Sequence, residues 1–217
     1  MKKVFKIGGI LLLTILALTL FVLRLTGLEP QDPGWSQLAQ QHEIARPGLW
    51  LRGEVVTTPV TDWSFVKNSN FGQGPTVEIE TRTPYFIPHS VRAAAIVRNG
   101  QLYIPSHQGC GGGLHGAACD VYNGPHGVNP IGVPFPKNKF WTANVMRDPR
   151  VRLKINGKLY EATLVLITDP AEAAAILGRE TETLEKGTDG QQHTIGYTHL
   201  FRVFQRNVSE ARKTEQS

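Results

Sequence analysis

The segment from Lys137 to Ile155, KNKFWTANVMRDPRVRLKI, opens with two ammonium groups, Lys137 and Lys139, close to the indole of Trp141 and the carboxamide of Asn144. Lys137, Lys139, Trp141 and Asn144 fall on or near one helical turn, and Pro136 stands where a first helical residue would, its fixed φ suited to that place. A helix start offers free amide groups to an anion, so this segment is a candidate anion site. A solvated surface helix anchored by Trp141 is the plainer reading of the same residues. The helix is expected to end at Asp148-Pro149 and to pass directly into an alternating strand. A second concentration of reactive side chains lies just before it, in the glycine-rich stretch 107–136. Cys110 and Cys119 are the only cysteines of the chain. A disulfide between them is the simplest reading, and closing a loop of about ten residues would constrain the unfolded chain by roughly 2.5 to 3 kcal/mol. A metal site from His107, Cys110, His115 and Cys119, with His126 as a further donor, is the alternative, although the spacing matches no common zinc finger.

Several familiar chemistries are excluded by pattern. Gly111, Gly113 and Gly116 satisfy GxGxxG formally, but no helix opens after Gly116 and no strand-helix-strand unit surrounds it, so this is no dinucleotide fingerprint. No glycine loop ends in Lys-Ser or Lys-Thr, which excludes a P-loop. No GxSxG elbow is present, and no nucleophile triad stands out. His89 could line a pocket or be an ordinary strand-edge residue.

The elements that must position these groups begin with a membrane signal. Lys2, Lys3 and Lys6 precede an uncharged, mostly apolar run from Ile7 to Leu23, extendable to Leu28 if Arg24 reaches toward the headgroups. No small-x-small cleavage pattern follows before Glu29, Pro30 and Pro33, so an uncleaved anchor is expected over residues 1–28. The lysines before the run place the N-terminus in the cytoplasm and the rest outside, as a single-pass protein of the cell inner membrane with a periplasmic or extracellular domain. An oxidising compartment suits the disulfide reading of Cys110 and Cys119. The formal net charge is +5, and removing the four basic residues of the anchor leaves +1. A nearly neutral remainder gives no support to nucleic-acid binding.

Residues 29–48 read as a spacer that sets the domain off the membrane, residues 49–208 as the folded domain, and 209–217 as a flexible tail. Within the domain, LWLRGEVVT, TVEIETRT, VRAAAIVRN, QLYIPS, RVRLKIN, KLYEATLVLIT and YTHLFRVFQ read as strands. Asn99-Gly100 and Asn156-Gly157 match the two-residue hairpin turn that requires positive φ at both central positions. Asp169-Pro170-Ala171-Glu172 supplies an N-cap, a first-turn proline and an acid three residues after the cap, ahead of a helix that stops at Gly178. A weaker helical stretch is expected over Thr183 to Lys186. The fold class is mainly β: an antiparallel barrel with a few short helices, preceded by one transmembrane helix.

The order of these parts, HSVRAAAIVRNGQLYIPS followed by KNKFWTANVMRDPRVRLKINGKLYEATLVLITDPAEAAAIL, resembles the FMN-binding split-barrel proteins related to pyridoxamine 5′-phosphate oxidase, including the deazaflavin-dependent nitroreductase branch. The matched residues cover about half the chain. The resemblance implies a split barrel, a homodimer with cofactor sites at the subunit interface, and an oxidoreductase acting on a small molecule. It further implies that Arg92, Ser106 and Lys137 or Lys139 hold the phosphate of FMN or a deazaflavin, with Trp141 and Asn144 at the pocket. The 107–136 insertion replaces what is a short loop in the family. A barrel that has lost the cofactor and works as a binding or structural module, through a disulfide-bonded or zinc-binding insertion, is the alternative.

Overall fold

The computed structural model describes residues 2–30, 47–66, 76–109, 140–186 and 190–206. It opens with helix α1 (Lys2–Thr26). Its stretch Lys6–Thr26 is long and apolar enough to cross a membrane and is not buried against the rest of the chain. The domain that follows is mainly β. Its strands are β1 (Glu54–Val55), β2 (Val77–Thr81), β3 (His89–Ala93), β4 (Ile96–Arg98), β5 (Gln101–Gly109), β6 (Arg150–Ile155), β7 (Lys158–Leu166), β8 (Glu182–Lys186) and β9 (Gln192–Gln205). Helix α2 (Phe140–Arg147) precedes β6, and helix α3 (Pro170–Leu177) follows β7. One sheet runs β3-β2-β6-β7-β9-β5-β4, with β1 on the free part of β7 and β8 on the free part of β9. Apart from the parallel pairing of β1 with β7, every pairing is antiparallel. Its two end strands are consecutive in the chain, separated only by Ala94-Ala95, so the sheet curls back toward itself as a half-barrel.

That two-residue break was not expected, because VRAAAIVRN reads as one strand. Three alanines carry no alternation to mark a change of partner. Yet the first half pairs with β2 and the second with β5, and Ala95 is wholly buried between them. The Asn-Gly turns behave as their chemistry dictates: Asn99 and Gly100 have φ of 51° and 75°, and Asn156 and Gly157 have 50° and 78°. LWLRGEVVT contributes only the two-residue β1.

Alternation divides the sheet into two faces. Val77, Ile79, Val151, Leu153, Ile104 and Phe201 point inward to a single large core. Trp63 closes the end at the Gly100 turn, donating its N–H to the Gly100 carbonyl at 2.8 Å and meeting Tyr160 edge-on at 5.3 Å. On the outer face, α3 covers a smaller cluster of Tyr103, Ala173 and Leu200. Its ends follow the expected signals: the Asp169 carboxylate accepts the Ala171 N–H, and Gly178 terminates the helix in the left-handed conformation at φ 69°. The residues from Thr183 to Lys186 are strand rather than helix. They lie within β8, which pairs with the N-terminal half of β9. Thr181 and Thr183 lose rotamer freedom in a helix, and the long edge of β9 supplies backbone partners that a lone helical turn would lack.

The outer face of β2, β3, β6 and β7 is charged instead. Arg92 pairs with Glu78 at 3.3 Å, and Lys154 lies opposite Glu78 while pairing with Glu29. One step along, Arg152 contacts Glu80 and Glu161, and Arg206 contacts Glu161 at 2.7 Å. Glu80 is only 8 % exposed. It accepts the Leu51 N–H at 2.6 Å, and its burial raises its pKa despite the opposing pull of Arg152 and that amide.

The residues after α1 fold back onto this face. The Leu28 N–H donates to Trp50 O, Leu49 N–H to Leu28 O, and Gly48 exchanges two hydrogen bonds with Ser90. Gly48 is crowded enough that a Cβ would stand 2.3 Å from Leu28 O and 2.5 Å from Ser90 Oγ. The two ends of the expected spacer therefore lie side by side, next to the end of α1; residues 31–46 lie outside the described residues.

Replacing Gly157 by Ala imposes left-handed strain in open space, at a cost of about 1–2 kcal/mol. Gly100→Ala adds a Cβ 3.0 Å from Asp62 Oδ1 to the same strain. Thermal denaturation is expected to rank Gly100→Ala as the more damaging of the two.

Candidate functional site

The end of the barrel opposite Trp63 is closed by α2. Its buried side chains are Trp141, Thr142, Asn144 and Val145, the spacing of one helical face. Trp141 lies 5.8 Å from Phe201, ring to ring, and Val145 joins it in the core. Between them the helix inserts two polar groups. The Thr142 and Ser106 hydroxyls share a 2.8 Å hydrogen bond with both residues fully buried. Asn144 Nδ2 donates to Thr81 Oγ1 at 3.0 Å, and Thr81 Oγ1 donates to His89 O at 3.0 Å. Arg147 then donates to Asn144 Oδ1 at 3.2 Å and to Arg82 O at 2.5 Å. Asp148 accepts from Arg150, which lowers its pKa, and the chain enters β6.

Two histidines sit on the inner face at this end. His89 shares its face with Val91, and its ring meets Phe140 edge-on at 4.9 Å. Burial lowers its pKa to about 4, and its buried Nδ1 has no hydrogen-bond partner among the described residues. His199 lies directly across from Ser106 and meets Phe201 edge-on, and burial lowers its pKa too. His107 points the other way, and its Nδ1 bonds Thr198 Oγ1 at 3.1 Å.

Of the residues expected at a phosphate site, the fold brings Ser106, Trp141 and Asn144 together at this end. Arg92 is not with them. It neighbours core-facing Val91 in β3, so it projects from the opposite face of the sheet, where Glu78 holds it. Pro136, Lys137, Lys139, Cys110, His115, Cys119 and His126 lie outside the described residues, and with them both the disulfide and the full metal set. No group of three or more His, Cys, Asp or Glu side chains placed to hold a metal occurs among the described residues.

An FMN or deazaflavin phosphate does not fit the described part of this set. The Ser106 hydroxyl is buried against Thr142, the Asn144 amide is engaged by Thr81 and Arg147, and Trp141 is packed in the core. Reaching any of them would require unmaking a buried contact, which costs about 1–3 kcal/mol for each polar group left unpaired. These three residues are the mortise that seats α2.

Sequence reading missed Thr81, Thr142 and Arg147, which complete that joint. It also missed a cavity of about 710 Å³ on the charged outer face. Thr81, Arg82 and Arg150 line it, so it adjoins the α2 end, and so do Arg24 and Arg206 from the two ends of the described chain. The alternation of Arg150 and Arg152 with core residues was the available signal. No family model matches the chain, and neither does any curated protein sequence.

Ser106→Ala removes the buried Ser106–Thr142 hydrogen bond and is expected to cost about 0.5–1.5 kcal/mol in chemical denaturation. A double-mutant cycle with Thr142→Val measures the coupling of the two hydroxyls, expected to be of about that size. His89 predicts a pH effect of definite sign. Its folded pKa lies below the usual 6.5, so between about 6.5 and 4 the unfolded chain binds the extra proton and stability falls as pH falls. The slope from this group is at most about 1.4 kcal/mol per pH unit. His89→Gln should flatten the denaturation free energy across that window by the same amount.

Proposed function

We propose that the chain is a membrane-anchored, extracytoplasmic split-barrel binding module rather than a flavin enzyme. The observation that carries this reading is the commitment of the expected cofactor ligands. Ser106, Trp141 and Asn144 seat α2, and Arg92 is paired on the other face of the sheet. The Cys/His-rich insertion before α2, closed by a Cys110–Cys119 disulfide or a zinc ion, then serves as a working surface of the module. The N-terminal lysines orient α1 with the domain outside the inner membrane.

A second reading, a homodimeric flavin- or deazaflavin-dependent oxidoreductase, is favoured by one observation. Strands β3 to β5, helix α2 with its Asp148-Pro149 exit, and the β6–β7 hairpin follow one another in the order the resemblance implies, with Ser106 near the end of β5 meeting α2. In that reading the phosphate is held from residues before α2, Lys137 and Lys139 among them. The cofactor would supply hydride or electron transfer, and the protein its binding and orientation.

The absorbance spectrum of the purified full chain in detergent separates the two. The module reading expects no flavin or deazaflavin band and no saturable quenching of added FMN fluorescence. A copurified chromophore, or saturable FMN binding weakened by Lys139→Ala, would establish the oxidoreductase instead. A thiol count divides the module further: no reactive thiol before reduction indicates the disulfide, whereas thiols protected by added zinc indicate the metal.

A further inference from the structure

The cavity on the charged outer face carries chemistry that the α2 end does not use. Five guanidinium groups line its wall: Arg24, Arg82, Arg150, Arg152 and Arg206. The carboxylates facing them are Glu80 and Glu161 in the wall and Asp148, which holds Arg150 in a fork; Glu80 already accepts the Leu51 amide as well as Arg152, and five guanidinium groups still outnumber three carboxylates. Such an excess of planar, permanently charged donors matches the oxygens of a phosphate.

The position of the cavity identifies which phosphate. Arg24 belongs to the last turn of α1, two residues before the membrane-length helix ends at Thr26. The domain is joined at once to that end: Leu28 hydrogen-bonds Trp50 and Leu49, Arg52 donates to Thr26 O at 3.4 Å, and Glu29 pairs with Lys154. With α1 in a bilayer, this wall lies at the depth of the lipid headgroups.

The rim adds a third observation. Phe86 lines the same cavity yet is 97 % exposed, and it holds a left-handed φ of 67°, which aromatic residues rarely adopt. Tyr85 beside it is 54 % exposed, and Pro84 and Pro88 bracket the pair. A strained backbone that presents a phenyl ring outward is poorly matched to water and well matched to the acyl boundary of a membrane, where aromatic side chains gather.

We infer that this cavity is a binding site for the phosphate headgroup of an anionic phospholipid, with Phe86 entering the acyl region beside it. The site docks the barrel on the membrane surface in a fixed orientation. The inference goes beyond the proposed function in naming a ligand. It rests on the reading of α1 as a membrane span, and it holds whether or not a cofactor occupies the α2 end.

The test uses the full chain in mild detergent and native mass spectrometry with added phosphatidylglycerol or phosphatidylcholine, alongside thermal shift with inorganic phosphate. Preferential retention of phosphatidylglycerol is expected, with retention falling about tenfold in Arg82→Gln, the loss of one charge-assisted contact. Arg82→Lys should restore part of it. Phe86→Ser should weaken retention of the lipid without changing the thermal midpoint. Equal retention of the two lipids, or of phosphatidylglycerol by wild type and Arg82→Gln alike, would overturn the site. Stabilisation by inorganic phosphate equal to that by phosphatidylglycerol would also overturn it, in favour of a soluble anion. Alkaline extraction of membranes checks the premise separately: release of the chain would refute the span, whatever the lipid result.

Discussion

The carboxylate of Glu80 is the contact on which the outer face of the barrel depends. It lies near the end of β2, between Ile79 and Thr81, both wholly buried. An ionisable group so placed is costly unless its oxygens are occupied, and here a backbone amide and a guanidinium occupy them. The Leu51 amide belongs to the segment that returns from α1, so the charge that must be satisfied also fixes where that segment lies. Arg152 carries the compensation onward to Glu161 and Arg206, which unites β2, β6, β7 and the end of β9 in one polar seam. Without Glu80, Arg152 would rely on Glu161, a carboxylate it already shares with Arg206.

The two faces thus solve different problems. The inner one is filled by branched and aromatic side chains and sealed by Trp63 at one end and Trp141 at the other. The outer one divides into an apolar patch under α3 and a charged patch under the return from α1. This second patch makes the relation of domain to helix a matter of hydrogen bonds and ion pairs rather than of linker length.

What the sequence disclosed follows from range. The Asn-Gly turns and the capped helix after Asp169 are decided within a few residues, and both form as their local chemistry requires. The Asp148-Pro149 boundary between helix and strand is likewise local. Residues Thr183–Lys186 were misread because their state is set by an edge of β9 that the segment itself does not encode. The pairing of Arg92 with Ser106 in one site failed on parity. Arg92 follows a core residue, whereas Ser106 lies two residues after core-facing Ile104, and the two therefore leave opposite faces of the sheet. Parity was legible in each strand. The joint that consumes Ser106, Thr142, Asn144 and Thr81 was not, because its partners come from three distant elements.

Strand β9 has a consequence for how such a chain is made. It bridges β5 on one edge and β8 and β7 on the other, yet it is the last in sequence order among the described strands. Pairing β9 with β5 closes a loop over most of the domain, so these contacts form only once the chain has been made as far as β9. Until then the edges of β5 and β7 that β9 covers stand open to mispairing. Late delivery of one strand thereby leaves those edges in need of protection until β9 arrives.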